Sequence, residues 1–347
     1  MSVIISNKAI KCPLCDTAIL EGSFINTYIS SYTKQTYKLY RCQNCNLEFW
    51  EPLKIIPEFY EDGVLESYAT IHSGISKVTN HHKPFLKYFL KLKIRGQLLD
   101  VGCGNGGFLN EVQRYGFQVY GIDFDKNSIK IAKEKFGLEH VYRMSIEEFI
   151  QDKQSNGKKF DVITLFEVLE HQDNPQGLFW HIKMLLKPNG YIAGSVPNRE
   201  RPFVKLERHR NKGDYPPHHF LYFSEEVLRS FLVNEGFDNI EFYHIFRPFR
   251  DIPAFVEHLF LGGFTKNIKQ KLKRYIVKDN DKIKLSLHEL SQTSGYTNIM
   301  KVLNIVKMLR NIIFLPLSIP VYLYMRTKGY QIYFQAQYMD GQNNNER

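Results

Sequence analysis

Six consecutive residues, Gly102 to Gly107, contain four glycines and join the apolar run Leu98-Leu99-Asp100-Val101 to a segment with Phe108, Leu109, Val112 and Tyr115 at helical spacing. Gly116 closes that segment. A strand that turns directly into a helix needs glycine where the backbone bends and where it must touch a ligand, because a Cβ would block both. The pattern therefore predicts a βα unit of an open α/β sheet, with a ligand cradle at the carboxyl end of the strand. Spacing alone leaves the ligand open, since Gly102, Gly104 and Gly107 also satisfy the dinucleotide-binding G-x-G-x-x-G, and Asp123 stands where a ribose-binding acid belongs.

The same grammar continues on both sides of the loop. Strand signals recur at Gln97–Val101, Gln118–Ile122, His140–Tyr142, Val162–Phe166 and Tyr191–Ser195, separated by helical stretches, and alternation of this kind predicts a parallel sheet. Helix boundaries agree: Ser145 with Glu148 makes a capping box, Pro175 sits at a helix start, and Ser224 opens a helix that Gly236 ends. Ile240–Ile245 and the alternating Tyr330–Gln337 supply two further strands.

Taken in order, the glycine loop, Val119–Asp125 (VYGIDFD), Phe160–Pro175 (FDVITLFEVLEHQDNP) and Leu185–Asn198 (LLKPNGYIAGSVPN) closely resemble the motif series of class I methyltransferases. The resemblance implies an α/β fold, a Rossmann-like seven-stranded sheet, with S-adenosylmethionine as cofactor. It implies that Asp100 neighbours the methionine end of the cofactor, that Gly102 and Gly104 pass under it, that Asp123 takes both ribose hydroxyls and that Phe124 flanks the adenine. A strand-end carboxylate suits a diol, and an apolar neighbour suits a purine face.

Cys12, Cys15, Cys42 and Cys45 form C-x2-C-x26-C-x2-C, in which each pair can sit on a tight turn that aims two thiolates at one tetrahedral ion. The expected ion is a structural Zn²⁺ in a zinc-ribbon domain over residues 1–60. Two disulfides are the alternative; no secretory signal precedes the cysteines, so a reducing, cytoplasmic setting is expected. Cys103 is expected to be a neutral packing residue.

The expected organisation continues with a helical lid at 61–95, the cofactor-binding core at 96–245, an insertion at 246–329 before the last strand, and that strand with a polar tail at 330–347. Of the net charge of +10, most lies from Glu241 onward, where 16 Lys and Arg face 8 Asp and Glu. Such an excess favours an anionic partner. Within the insertion, Asn311–Met325 is an uncharged run of 15 residues bracketed by Lys307, Arg310, Arg326 and Lys328. That is short for a bilayer span of about 20 residues, and Pro316 and Pro320 are expected to interrupt a straight helix. With Tyr322 and Tyr324, it reads as a segment lying in one leaflet at the inner face of the membrane, aided by Lys266, Lys269, Lys271, Lys273 and Arg274. A buried hairpin or a dimer face are the alternatives.

Glu167, Glu170 and His171 fall just past the fourth strand, at the sheet edge where open α/β folds place ligands. In one reading His171 is the general base for an acceptor hydroxyl, with Glu170 and Glu167 beside it. In the other, Glu167, Glu170 and His171 join His219, or its neighbour His218, around a divalent metal. The run EVLEH with a later histidine resembles metal-using ubiquinone-pathway O-methyltransferases and small-RNA 3'-end methyltransferases. Tyr40–Leu53 (YRCQNCNLEFWEPL) resembles the zinc-knuckle leader of bacterial methyltransferases of surface-glycan and deoxysugar biosynthesis, without the second α/β domain of the sugar C-methyltransferases. The resemblance implies O-methylation of a glycan, nucleotide-sugar or lipid-linked acceptor. RNA is the runner-up acceptor, for which Tyr37, Lys38, Tyr40 and Arg41 would supply stacking and charge, and a quinone-type or other small-molecule hydroxyl is a further alternative.

Overall fold

The computed structural model describes residues 9–56, 59, 78–153, 157–210, 212–262 and 294–339. The residues expected as a lid are described only from 78 onward, and the polar tail from Asp340 and the basic cluster Lys266–Arg274 lie outside the described residues.

Two matching turns open the chain. Cys12 accepts the Asp16 N–H and Cys42 the Asn46 N–H, both at 3.0 Å, and Asp16 and Asn46 adopt left-handed backbone, φ 55° and 64°. Asp and Asn tolerate that region better than other side chains, which is why each follows the second cysteine of its pair. An antiparallel meander follows: β1 Phe24–Ile29, β2 Thr36–Arg41 and β3 Glu48–Glu51.

Next comes a short helix, α1 Lys83–Lys87, and then the main sheet begins. In chain order its elements are β4 Gly96–Val101, α2 Gly107–Gln113, β5 Phe117–Asp123, α3 Lys126–Phe136, β6 Val141–Arg143, α4 Ile146–Gln151, β7 Phe160–Phe166, α5 Pro175–Leu185 and β8 Leu186–Pro197. After α6 Val204–Arg210 come β9 Leu221–Tyr222, α7 Glu225–Asn234, β10 Phe237–Ile245, α8 Ile252–Leu261, α9 Ser294–Met325 and β11 Gln331–Tyr338. The sheet order is β10-β11-β8-β7-β4-β5-β6. β8, β7, β4, β5 and β6 run parallel, and β11 pairs antiparallel with both β8 and β10. This is a Rossmann-like sheet of seven strands with the expected antiparallel closing pair.

Strand pleating divides the core between two faces: Leu98 packs with Phe85, Phe108 and Leu109, whereas its neighbour Leu99 packs with Phe160, Phe179 and Ile182. The expected caps are present. Ser145 and Glu148 exchange hydrogen bonds as a capping box, Asn174 caps the helix that Pro175 begins, and the Ser224 side chain accepts from the Val227 N–H. Tyr115 departs from expectation, because α2 ends at Gln113 and leaves Tyr115 42% exposed past the packed face.

The N-terminal meander is completed from the far end of the chain. β9 pairs antiparallel with β3, making a four-stranded sheet in the order β1-β2-β3-β9. Buried Trp50 makes the join: its N–H donates to the Phe220 carbonyl at 3.0 Å and its indole Nε1 to the Tyr222 hydroxyl at 2.9 Å. Cys12, Cys42, Phe49 and Trp50 thereby share one continuous core with Leu99, Phe179 and Phe220.

A second compact unit comprises Arg201–Lys212 and Phe246–Gly329. Its core holds Ile252, Phe255, Val256 and Leu259 of α8 against Phe314, Val321, Tyr322 and Met325 of α9. Contrary to expectation, α9 continues through Pro316 and Pro320. A proline in a helix interior costs about 3 kcal/mol, and packing against α8 on the opposite side offsets the loss. Both prolines lie on the exposed side of the helix, away from α8.

Trp50→Ala should destabilise the protein by about 3 to 5 kcal/mol in urea unfolding. Trp50→Phe, which removes the N–H and keeps most of the volume, should cost about 1 kcal/mol. Unchanged stability in both would show that Trp50 does not couple the two sheets.

Candidate active site

The carboxyl ends of β4, β5, β6 and β7 converge on an open cleft of about 840 Å³. Each strand contributes the residues at its end: Val101 and Gly102; Ile122, Asp123 and Phe124; Met144, Ser145 and Glu147; Glu167, Val168 and His171.

Glycine is required at the floor. Gly102 has φ +76°, and a Cβ there would come 2.6 Å from Val168 Cγ2; Gly104 has φ +52° and opens on space with nothing within 4 Å of a Cβ. Asp123 is positioned by the loop itself, since the Gly104 N–H donates to its Oδ2 and the Asp125 N–H to its Oδ1, both at 2.8 Å. Burial raises its pKa, and those two N–H groups act against the rise. Phe124, 42% exposed, stands free to stack a ring. Asp100 does not line the cleft: it is 3% exposed and accepts from the Thr164 hydroxyl at 2.7 Å. Burial pushes its pKa up to about 7.

Glu167 sits in left-handed backbone, φ 56°, an uncommon state for a non-glycine residue. Its carboxylate is held from two sides, by the Ser195 hydroxyl at 2.7 Å and the Gln331 amide at 2.6 Å. Its side chain is therefore tied to β8 and β11, while its backbone meets the His171 ring.

That cluster is His171, His218 and His219, whose ligand atoms all lie within 4.8 Å of one another. The loop bearing the last two docks on the 3-10 turn Leu169–His171: the Phe220 N–H donates to the Glu170 carbonyl, and His171 Nδ1 donates to the His218 carbonyl at 2.5 Å. His218 Nδ1 donates to the Gly213 carbonyl at 2.6 Å, and His219 Nδ1 meets Asp214 Oδ1 at 2.9 Å. A carbonyl only accepts, so Nδ1 of His171 and of His218 carries a proton. Burial, followed by the neighbouring imidazoles, holds His171 well below its ordinary pKa and brings His218 down to about 3. Glu170, 1% exposed, has both carboxylate oxygens buried without a hydrogen-bond partner, one of them 3.8 Å from His171 Nε2. Its pKa is raised well above the ordinary range, by burial first and the Glu167 charge second. Neutral imidazoles beside an unsatisfied carboxylate make a donor set that suits a divalent cation.

A separate cluster forms at the N-terminus. The Sγ atoms of Cys12 and Cys45 are 3.4 Å apart, those of Cys15 and Cys42 are 3.5 Å apart, and all four lie within 4.8 Å of one another as free thiols. A tetrahedral ion with thiolates at 2.3 Å spaces them about 3.8 Å apart, so this arrangement fits zinc and not a pair of disulfides. Cys45 is drawn down to about 5, first by the hydrogen bond with Cys12, whose own pKa rises. Cys103 packs in the core with its thiol kept neutral by burial.

Residues 77–241 match the family model described as "Methyltransferase domain". Over those residues, just under half of its length, the chain is similar to a methyltransferase domain. It is 40% identical over 108 residues to the ubiquinone biosynthesis O-methyltransferase of Actinobacillus pleuropneumoniae serotype 5b, covering 30% of this chain and 46% of the relative. A protein of the same name from Haemophilus ducreyi is 36% identical over 136 residues, 37% of this chain and 58% of the relative. The chain thus spans about half the length of the curated relatives it matches. Among solved structures, magnesium protoporphyrin IX methyltransferase from Synechocystis, with bound SAH, is similar with a TM-score of 0.42 and 16% identity, over 55% of this chain and 94% of that one.

The methyltransferase domain draws on residues that the sequence reading passed over. Met144, Ser145 and Glu147 line the cleft, although Ser145 read only as a helix cap, and Thr164 holds Asp100. Their position just after a strand end was the signal. Asp100 also gives this domain a pH dependence. The folded carboxyl keeps its proton to about pH 7, whereas the unfolded one releases it near its ordinary 3.8, so stability falls as pH rises across that window. Relative to Asp100→Asn, the wild-type protein should lose on the order of 2 kcal/mol between about pH 5 and about pH 8 in denaturant titrations. Identical pH profiles would show that Asp100 does not carry the effect.

Proposed function

We propose that this chain moves a methyl group from S-adenosylmethionine to a hydroxyl oxygen of a glycan, nucleotide-sugar or lipid-linked acceptor. The observation that carries the reading is that His171 belongs both to the wall of the cofactor cleft and to the histidine cluster. The naming of the relatives as O-methyltransferases supports oxygen as the target and extends the acceptor class to other small-molecule hydroxyls, including quinone-type rings. S-adenosylmethionine, when bound, supplies a methyl group activated by its sulfonium charge.

The chain's own residues do the rest. Gly102 and Gly104 admit the cofactor close to the backbone, Asp123 accepts from its ribose, Phe124 covers the adenine, and Asp100 lies behind the methionine end. His171 takes the hydroxyl proton on Nε2 as the new C–O bond forms, with its ring fixed by the Nδ1 bond to His218. Glu170 balances the imidazolium that results.

A second reading rests on the unsatisfied Glu170. In it His171, His218 and His219, with Glu170 beside them, hold a divalent cation that lowers the pKa of the acceptor hydroxyl. Glu167 takes no part, since Ser195 and Gln331 occupy its oxygens. Of the residues that would serve an RNA acceptor, Tyr37 is buried against Phe220 and Arg41 pairs with Glu48 at 2.6 Å, while Lys38 is exposed.

His171→Ala should lower kcat about 10²- to 10⁴-fold while cofactor affinity stays unchanged. Asp123→Ala should weaken cofactor binding by about 1 to 3 kcal/mol. Calorimetry and turnover with a panel of hydroxylated acceptors separate the two, and full activity of His171→Ala would overturn the assignment. Loss of turnover on chelation, restored by one divalent ion, selects the metal reading.

The four cysteines should hold one Zn²⁺ per chain by elemental analysis of the reduced protein. Cys42→Ser should lose the ion and, because the cysteine core is continuous with the main core, lower the stability of the whole first unit in a single transition. A zinc-free wild-type protein of equal stability would remove the ion from the structure.

A further inference from the structure

Helix α9 is apolar on its exposed side as well as on the side packed against α8. Ile312 is 61% and Ile313 67% exposed, and Val302, Ile305, Met308, Leu309, Ile319 and Leu323 are exposed with them, whereas the charged Lys307 and Arg310 lie on the half-buried side. At 100° per residue the exposed apolar side chains cover about 200° of the circumference, and from Val302 to Tyr324 they run about 33 Å. Monomeric soluble proteins rarely show a contiguous apolar patch of that extent. We propose that this face of α9 is covered by the hydrocarbon of an anionic membrane, with the helix lying in one leaflet.

Two observations select lipid and its geometry. By length and composition, Lys301–Met325 could cross a bilayer, but the connectivity forbids a single crossing. The chain leaves the sheet at Ile245 and re-enters it at Gln331, and these residues are partners in the β10–β11 ladder. A segment that starts and ends at one point crosses an even number of times or not at all. No second crossing is available in the sequence, since residues 263–293 carry 11 Asp, Glu, Lys and Arg among 31 residues. The helix therefore enters and leaves on the same side, in the plane of the surface. The second observation is charge. Lys301 precedes the apolar stretch and Arg326 and Lys328 follow it, all exposed, with Tyr324 at the same end. That is the arrangement that places ammonium and guanidinium groups among phosphates while the side chains between them enter the acyl region.

The test is co-sedimentation of the full chain with phosphatidylcholine vesicles containing phosphatidylglycerol, at low and high salt. The wild-type protein should bind at low salt and keep part of its binding at high salt, because the apolar contribution is unscreened. Replacing Ile312, Ile313, Ile319 and Leu323 by serine should lower affinity roughly 100-fold and abolish the salt-resistant part. Cofactor affinity should stay unchanged, which shows that the variant is folded. Lys301→Gln with Arg326→Gln and Lys328→Gln should reduce binding at low salt only. Two results would overturn the proposal: wild-type protein that stays in the supernatant at every salt concentration, or a dimer that the serine variant converts to monomer with vesicle binding unchanged, in which case a second copy covers the face.

Discussion

The pairing of β3 with β9, fixed by Trp50, is the contact on which the candidate active site depends. Trp50 holds the Phe220 carbonyl and the Tyr222 hydroxyl, and that hydroxyl in turn donates to the Asp214 carbonyl at 2.5 Å. Asp214 holds His219, and the Phe220 N–H holds the Glu170 carbonyl. A run of hydrogen bonds thus connects the cysteine-rich sheet to the three imidazoles. The meander is too small to bury a core of its own, and by docking on β9 it shares the core of the main sheet. The cysteine cluster is connected to the candidate site through the position of this loop.

The site carries an excess of buried carboxyl groups. Asp100, Asp123 and Glu170 all have pKa values raised by burial, and only the first two have donors directed at them. Burying a carboxyl group without a partner is costly, so folds retain one where a ligand or cation satisfies it. The strained backbone of Glu167 belongs to the same economy of position, being held by bonds to β8 and β11 that close the sheet over the cleft.

The second unit obeys a different rule. Its core between α8 and α9 is made of ordinary apolar contacts, yet the outer side of α9 is as apolar as the inner side. Burial against α8 accounts for Phe314, Val321 and Met325 and leaves Ile312 and Ile313 without any partner among the described residues. Water alone does not stabilise that distribution.

Local pattern determined much of this protein. Short apolar runs located all seven strands of the sheet, glycines located the loop at the cleft, cysteine spacing located the two N-terminal turns, and capping residues located the helix starts, because each of these signals acts over a few residues of chain. The cleft residues Gly102, Asp123 and Phe124 were legible for the same reason, as they lie at strand ends. Tertiary structure decided what depends on residues far apart in the chain. It set His218 and His219 beside His171, a meeting that the family resemblance implied but that a spacing of 47 residues does not itself show, and drew Glu167 away to Gln331, 164 residues later. It buried Tyr37 and closed the N-terminal sheet with Leu221–Tyr222, and it carried α9 through two prolines because packing on α8 outweighed the local preference to break. Local sequence fixes dihedral angles and turn chemistry; which side chains meet is settled by the burial of a shared core, a sum over the whole chain.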